Sequence, residues 1–430
     1  MRTVKFYTLG CKVNQYDTQE IRERFLEEGF IEAKCNQPAD IYVVNTCTVT
    51  AKADKDSFYY IHRSYRENPK GKIIVTGCLA EMGRKKIKSQ AGVCLVIPNI
   101  DKAKIVSRFI GRLGRERFQT VPYSGRLKHG ISFFEGHTRA FLKIQDGCDN
   151  FCAYCRVPLA RGVSRSKPLS GIISEARELA GKGFKEIVLT GICLGAYGRD
   201  LEPRKSLVDV ITALEGINGI CRIRLSSIEA KDVSEELINK IAGSSRLCRH
   251  LHIPIQSGDN KILKEMRRKY SREDYLRLVK KIKKRVPFAA ITTDVLVGFP
   301  GEEEDNFRNT LDLVKKIAPL RAHIFPFSPR PGTAAFNCKE KTSECVIKER
   351  VERLRLLSEQ CFLSYCVKSL GRKFPVLVER RWPEKSVFWE GYTDTYIKVL
   401  VKSRKNLKNQ LICVKLQEIV KGNMFGKILR

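Results

Sequence analysis

Three cysteines, Cys148, Cys152 and Cys155, stand at C-x3-C-x2-C spacing in the run Gly147-Cys148-Asp149-Asn150-Phe151-Cys152-Ala153-Tyr154-Cys155-Arg156. Three thiolates in one short loop can ligate three corners of a [4Fe-4S] cube, and no fourth cysteine follows at ferredoxin spacing, which leaves one iron without a protein ligand. A structural zinc loop is the competing reading. Zinc takes four ligands, usually as two pairs, and no second pair stands nearby.

The 430 residues leave room for two to three domains with ample core. A formal charge of +33 and a pI near 9.7 point to a polyanionic partner, RNA or DNA, although a generally basic proteome gives the same composition. Sixteen cysteines are more than a chain this long needs as staples, and they suit a reducing, oxygen-poor cytoplasm. Met1 to Cys11 holds no apolar run of signal-peptide length, so Cys11 is not read as a lipidation site. No segment has the unbroken apolar length of a membrane span. The expectation is a soluble, cytoplasmic protein with no membrane partner.

The first hundred residues alternate strand and helix. Strands are expected at Val4 to Leu9, Ile41 to Val44, Lys72 to Thr76 and Cys94 to Ile97, with helices at Tyr16 to Glu28, Ala53 to Arg66 and Asp101 to Phe109. This is the pattern of a parallel sheet covered on both faces, in which ligands gather at the carboxyl ends of the strands. Cys11, Cys47 and Cys78 each follow a strand by two or three residues, and Gly10 and Gly77 leave room beside two of them. A second three-thiolate cluster is the sharper reading. The plainer one is that cysteine packs as a small hydrophobe, the fate expected of Cys35 and Cys94.

Beyond a basic, irregular connector from Gly111 to His137, a strand at Phe141 to Gln145 leads into the three-cysteine loop. Five more strands follow, at Glu186 to Thr190, Cys221 to Ser226, His250 to Ile255, Ala290 to Val297 and Ala322 to Phe327, separated by helix-forming stretches. Six such repeats imply an open (β/α)6 partial barrel with its chemistry at the strand ends. Cys345, Cys361 and Cys366 fall in a Lys/Glu-rich helical stretch and take no role. From Gly371 the texture changes to short strands at Phe374 to Val378, Thr395 to Val401 and Leu411 to Leu416, the signal of a small β-barrel. Residues 369 to 430 carry 14 Lys and Arg against five Asp and Glu.

The loop around Cys148, with Tyr154 just before the last cysteine, resembles the radical-SAM superfamily, in which the open iron binds the amino and carboxylate groups of S-adenosylmethionine. Thr8-Leu9-Gly10-Cys11-Lys12-Val13-Asn14-Gln15, Val44-Asn45-Thr46-Cys47-Thr48-Val49-Thr50 and Thr76-Gly77-Cys78 resemble the signatures of the methylthiotransferase N-terminal domain. The Gly-Cys-Lys-Val-Asn-Gln run is similar to the MtaB-type subgroup that modifies N6-threonylcarbamoyladenosine in tRNA. Gly391 to Val399 resembles the TRAM domain, an RNA-binding barrel of the OB type.

The resemblance covers essentially the full length. It implies a Rossmann-like parallel α/β domain over 1–112, a linker over 113–138, a radical-SAM partial TIM barrel over 139–368 and a TRAM domain over 369–430. Cys11, Cys47 and Cys78 would hold one [4Fe-4S] cluster and Cys148, Cys152 and Cys155 the other. Tyr154, Thr190, Gly191, Ser226, Glu229 and Gln256 would contact S-adenosylmethionine. Arg372, Lys373, Tyr392, Tyr396 and Lys398 would contact RNA; the plainer reading of the two tyrosines is packing.

The reaction implied is 2-methylthiolation of the modified adenosine at position 37, in the anticodon loop, through a 5′-deoxyadenosyl radical. A flavodoxin or ferredoxin would donate electrons, and a sulfur source is needed. Siblings of the family act on N6-isopentenyladenosine or on a ribosomal protein, and a non-catalytic iron-sulfur RNA-binding or redox-sensing protein is the alternative from another class. Two positions depart from the family pattern. Cys193 stands where relatives place Asn or His, and Arg156 to Leu159 differ from the usual Cys-Ile-Ile-Pro-Tyr continuation. Arg161 and Arg165 are candidates for a carboxylate or phosphate, or are solvated.

Overall fold

The computed structural model describes residues 2–34, 36–113, 130–134, 136–385 and 387–429. The chain divides into two compact units. One comprises Met1–Glu135, Asp146–Arg165 and Ser328–Phe336, and the other Gly136–Gln145, Ser166–Phe327 and Asn337–Arg430. Most of the connector expected over 113–138, and Cys35, lie outside the described residues.

The first unit is a five-stranded parallel sheet of β1 (Thr3–Thr8), β2 (Ile31–Glu32), β3 (Ile41–Thr46), β4 (Lys72–Gly77) and β5 (Val93–Val96), in the order β2-β1-β3-β4-β5. The central strand β3 is buried at every residue, which is why Ile41 to Val44 run apolar without alternation; Asn45 and Thr46, which end it, are buried with hydrogen bonds to Asn14 and Thr76. Successive side chains still point to opposite faces. Val43 joins Val4, Phe25 and Phe109 on one side, and Val44 joins Ile61, Val75 and Leu79 on the other. Thr50 caps the helix Ala51–Glu67 by accepting from the Ala53 amide. The short edge strand β2 escapes the sequence reading because two residues carry no period.

The second unit contains six parallel strands, β6 (Arg139–Lys143), β7 (Glu186–Thr190), β8 (Arg222–Leu225), β9 (His250–His252), β10 (Ala290–Val297) and β11 (Arg321–Pro326). They form two three-stranded sheets, β6-β7-β8 and β9-β10-β11, joined through single bridges at Ile223–Leu247 and Ser227–His252. Strands thus follow one another in chain order, the open partial barrel expected. Strand β9 stops at His252, three residues short of the expected end, where Pro254 removes a donor.

A closed five-stranded barrel completes this unit: β12 (Lys373–Arg381), β13 (Phe388–Thr393), β14 (Lys398–Lys402), β15 (Leu411–Val420) and β16 (Asn423–Ile428). Strands β13 and β16 are absent from the sequence reading, since Gly391 and Gly426 interrupt their alternation. The expected strand from Thr395 starts only at Lys398. Residues 393–397 instead make a tight turn, with Thr393 and Ile397 bonded backbone to backbone and Tyr396 left-handed at φ 73°.

That turn seals the amino ends of the partial-barrel strands. Glu186, fully buried, accepts from Arg222 Nε at 2.6 Å and Arg224 Nε at 2.7 Å. The two arginines then donate across to backbone carbonyls of the small barrel, Arg222 to Tyr392 and Pro375, Arg224 to Thr393 and Asp394. Apolar side chains of both pieces, among them Ala290, Leu320, Val376, Val399 and Met424, share one core. Burial alone would raise the Glu186 carboxyl, but Arg222, Arg224 and Arg139 overcome it and hold it at about 2. Its folded value is depressed, so its stabilisation is present above the ordinary carboxylate range and is lost as pH falls toward 2. The Glu186→Gln variant leaves the arginines uncompensated and is expected to lose about 3–5 kcal/mol. Denaturant melts from pH 7 to pH 3 check both points: the variant is weaker at neutral pH and its acid dependence is flatter.

Candidate iron-sulfur and cofactor centre

None of the fifteen described cysteines is joined in a disulfide. Cys47 and Cys78 directly follow β3 and β4 and Cys11 stands three residues beyond β1, at the carboxyl ends of strands that are adjacent in the sheet. Cys47 and Cys78 are 6% exposed, whereas Cys11 is open. Burial first, then the nearness of Cys78 and Cys11, pushes the Cys47 thiol up to about 11. Gly10 and Gly77 are both left-handed. A Cβ on Gly10 would lie 2.8 Å from Cys47 Sγ, and one on Gly77 would lie 2.3 Å from the Thr46 carbonyl. Asn14 Nδ2 ties the strand ends together by donating to the Leu9 and Thr46 carbonyls at 2.7 and 3.0 Å.

The second triad is in the same compact unit. Cys148 donates its amide to the Gly162 carbonyl at 3.0 Å, the Cys155 amide closes a turn onto the Cys152 carbonyl at 3.0 Å, and all three cysteines are half-buried. Tyr154 sits in that turn, also half-buried. Cys155 Sγ accepts the Val157 amide at 3.5 Å. Six thiols in two groups of three, none spent on a disulfide, suit two clusters that each keep an open iron.

Three contacts bring the triads together. Arg161, 4% exposed, donates to Asp146 at 2.8 and 3.0 Å, to Asn14, and to Asp17 at 3.3 Å. Lys102 supports Asp17 at 2.7 Å. Arg156, next to Cys155, and Arg330 both donate to the Thr48 hydroxyl, next to Cys47, at 2.9 and 3.1 Å. Asn99 Nδ2 donates to the Ala160 carbonyl at 2.6 Å and lies 3.8 Å from Cys78 Sγ. The anion-binding role considered for Arg161 is therefore corrected, because its donors are spent on protein partners. Sequence reading missed Arg330 and Asp17, whose partners are distant along the chain.

In the second unit the remaining candidates stand at strand ends. Thr190 ends β7, buried, and Gly191 follows it. Ser226 follows β8, and its buried hydroxyl has no hydrogen-bond partner among the described residues. Glu229 is paired with Arg268, which Tyr270 steadies at 3.1 Å. Gln256 holds a left-handed backbone at φ 62° while bridging to Val295, the kind of strain kept where a side chain must be aimed. Cys193 is 5% exposed, with its amide on Gln145 Oε1 at 2.8 Å. An orphaned buried hydroxyl and an oriented carboxylate suit a ligand with amino and ribose groups.

Tyr392 and Tyr396 do not form an open stacking face. Arg139 lies over both rings, at 5.0 and 5.3 Å, Arg224 lies 4.5 Å from the Tyr396 ring, and His250 packs on Tyr396 at 4.9 Å. They pack, as the plainer reading had it, because the end of β13 and the turn after it, which carry them, plug the partial barrel. Arg372 and Lys373 are exposed and Lys398 is half-buried.

Replacing Arg161 by Met would leave Asp17 and Asp146 facing a buried apolar stem, at a cost of about 3–5 kcal/mol. The expected outcome is iron loss from both triads after reconstitution, where Cys148→Ala loses iron from its own triad only; iron counting and thermal melts distinguish the two.

The sequence profile of the radical SAM superfamily matches residues 142–314, and that of the uncharacterized protein family UPF0004 matches 3–98. The chain is 40% identical over 427 residues to the threonylcarbamoyladenosine tRNA methylthiotransferase MtaB of Bacillus subtilis, covering 97% of this chain and 94% of that one. It is 34% identical to the tRNA-2-methylthio-N(6)-dimethylallyladenosine synthase of Pelotomaculum thermopropionicum, over 91% of this chain and 90% of that one. The radical S-adenosylmethionine methyltransferase TsrM of Kitasatospora setae shares the fold, with TM-score 0.54 at 15% identity over 78% of this chain and 77% of that one. With paired cysteine triads, the partial barrel and this full-length identity, the chain belongs to the radical-SAM methylthiotransferase family of the MtaB type.

Proposed function

We propose that this enzyme methylthiolates tRNA, converting N6-threonylcarbamoyladenosine at position 37 to its 2-methylthio derivative. The observation that carries the reading is the pair of three-thiol groups within one compact unit. Cys148, Cys152 and Cys155 hold the [4Fe-4S] cluster that works with S-adenosylmethionine, and Cys11, Cys47 and Cys78 hold the other. When bound, these groups supply the radical that takes hydrogen from adenine C2, the sulfur and, from a second S-adenosylmethionine, the methyl group.

The chain's own residues bind and orient. Tyr154, Thr190, Gly191, Ser226, Glu229 and Gln256 contact S-adenosylmethionine, the Ser226 hydroxyl finding there the partner it lacks. Arg161, Asn99, Arg156 and Arg330 hold the two triads in fixed relation. Electrons come from a flavodoxin or ferredoxin, and the reaction draws on a sulfur source. No described helix is long and apolar enough to cross a membrane. We place the enzyme in the cytoplasm, with tRNA.

We propose a domain division at 112, 138 and 368, with the C-terminal barrel as a TRAM domain. Arg372, Lys373 and Lys398 supply phosphate affinity. Base stacking passes from Tyr392 and Tyr396 to the half-buried cluster of Trp382, Phe388 and Phe425, whose rings meet edge to face at 5.5–6.4 Å beside exposed Arg380 and Arg381. Stacking on such a ring is worth roughly 1–3 kcal/mol per base. Trp382→Ala is expected to weaken tRNA binding about tenfold or more while leaving cleavage of S-adenosylmethionine without RNA unchanged; filter binding and 5′-deoxyadenosine yield check it.

The deciding experiment is anaerobic reconstitution with iron counting and mass analysis of nucleosides. About eight irons are expected in the native chain and about four in either cysteine-triad→Ala variant, with 2-methylthio-N6-threonylcarbamoyladenosine formed by the native chain alone. Product from N6-dimethylallyladenosine tRNA instead would move the enzyme to the sibling group.

A further inference from the structure

We infer that His252, Asp294 and His323 form a divalent-cation site on the inner wall of the partial barrel, built from nitrogen and oxygen ligands instead of thiolates. The three residues come from β9, β10 and β11, which are neighbours in the sheet. In the register His252 stands opposite Thr292, and Asp294 opposite His323. Thr293 faces the covering helix Arg272–Arg285, because its hydroxyl lies 3.5 Å from that of Tyr275. Alternation along β10 then turns Thr292 and Asp294 to the opposite, inner face, and the paired His252 and His323 share it.

One ligand atom from each side chain lies within 4.8 Å of the other two. His252 Nε2 is 3.2 Å from Asp294 Oδ2, and the imidazole rings of His252 and His323 are 5.8 Å apart. Ligands about 2.0–2.2 Å from a tetrahedral zinc stand roughly 3.3 Å from one another, so the first pair is already at ligand spacing. The third closes by a rotamer adjustment. His252 and Asp294 are half-buried and His323 is exposed, which leaves an entry path for an ion.

The outer partners fit as well. His252 Nδ1 is 2.9 Å from the Thr292 hydroxyl, which also meets His250 Nε2 at 3.0 Å. A metal-bound histidine characteristically spends its other ring nitrogen on such a partner, which fixes the tautomer and aims the free lone pair. Two imidazoles and one carboxylate suit zinc or ferrous iron with coordination positions open. The ion ties the edge strand β11 to β9 and β10, and its remaining positions take water or an anionic oxygen.

The test is zinc counting on the reconstituted holoenzyme after equilibrium dialysis against zinc, with iron content as the measure of intact clusters. The native chain is expected to hold one more zinc than His323→Ala or Asp294→Asn at equal iron. Thr292→Val, which removes no ligand, is expected to weaken that zinc roughly 10–100-fold. Adventitious zinc on free thiols is the same in every variant and cancels. Equal zinc counts in the native chain, His323→Ala and Asp294→Asn would overturn the site.

Discussion

The buried guanidinium of Arg161 is the interaction on which the cluster-bearing unit depends. A charge taken this far from water costs several kcal/mol unless it is met by opposite charge and by acceptors for its donors. Asp146 and Asp17 supply the charge and Asn14 a further oxygen. These partners come from the start of the three-cysteine loop and from the helix that follows Cys11, so satisfying one arginine fixes the loop to the strand ends. Desolvation would lower the affinity of the guanidinium for its proton, and the carboxylates of Asp146 and Asp17 raise it instead.

The second unit solves a related problem with the same chemistry. Six parallel strands curved into an open barrel leave their amino ends uncovered, and an open end would admit water to the strand interior. Glu186 and its arginines close that end by reaching the backbone carbonyls of the small C-terminal barrel. The ion pairs do not by themselves argue for stability. Their use is geometric, since a guanidinium fork has few arrangements that satisfy both a carboxylate and two carbonyls. The carboxyl ends of the strands are left to the cofactor-binding groups, which is where a barrel of this kind carries its chemistry.

How far the chain could be read in advance depended on how local each signal was. The parallel sheet and the six-strand repeat were legible because β-branched runs and helical periods are short-range patterns. Cys11, Cys47 and Cys78 were legible because each follows its strand within three residues, and adjacent strands in a parallel sheet end on one rim. The cofactor candidates Thr190, Ser226 and Gln256 were legible by the same rule. Tyr392 and Tyr396 misled, because a hairpin turn and a strand face look alike over five residues, and only Arg139 and Arg224, on two distant strands, settle which way the rings are used. Strands β13 and β16 were hidden by glycines.

Alone, the sequence determined the ligand chemistry, the fold class of each part and the family, because thiol spacing, hydrophobic period and signature runs survive without knowledge of contacts. The tertiary structure decided which charges are spent and which remain for function. Arg161, Glu186 and Arg330 look like ordinary surface charges in the chain and become fixed centres only when partners tens to hundreds of residues away are packed against them. The meeting of His252, Asp294 and His323 has the same origin. Each is one residue on its own strand, and strand pairing, which is non-local, is what sets them side by side.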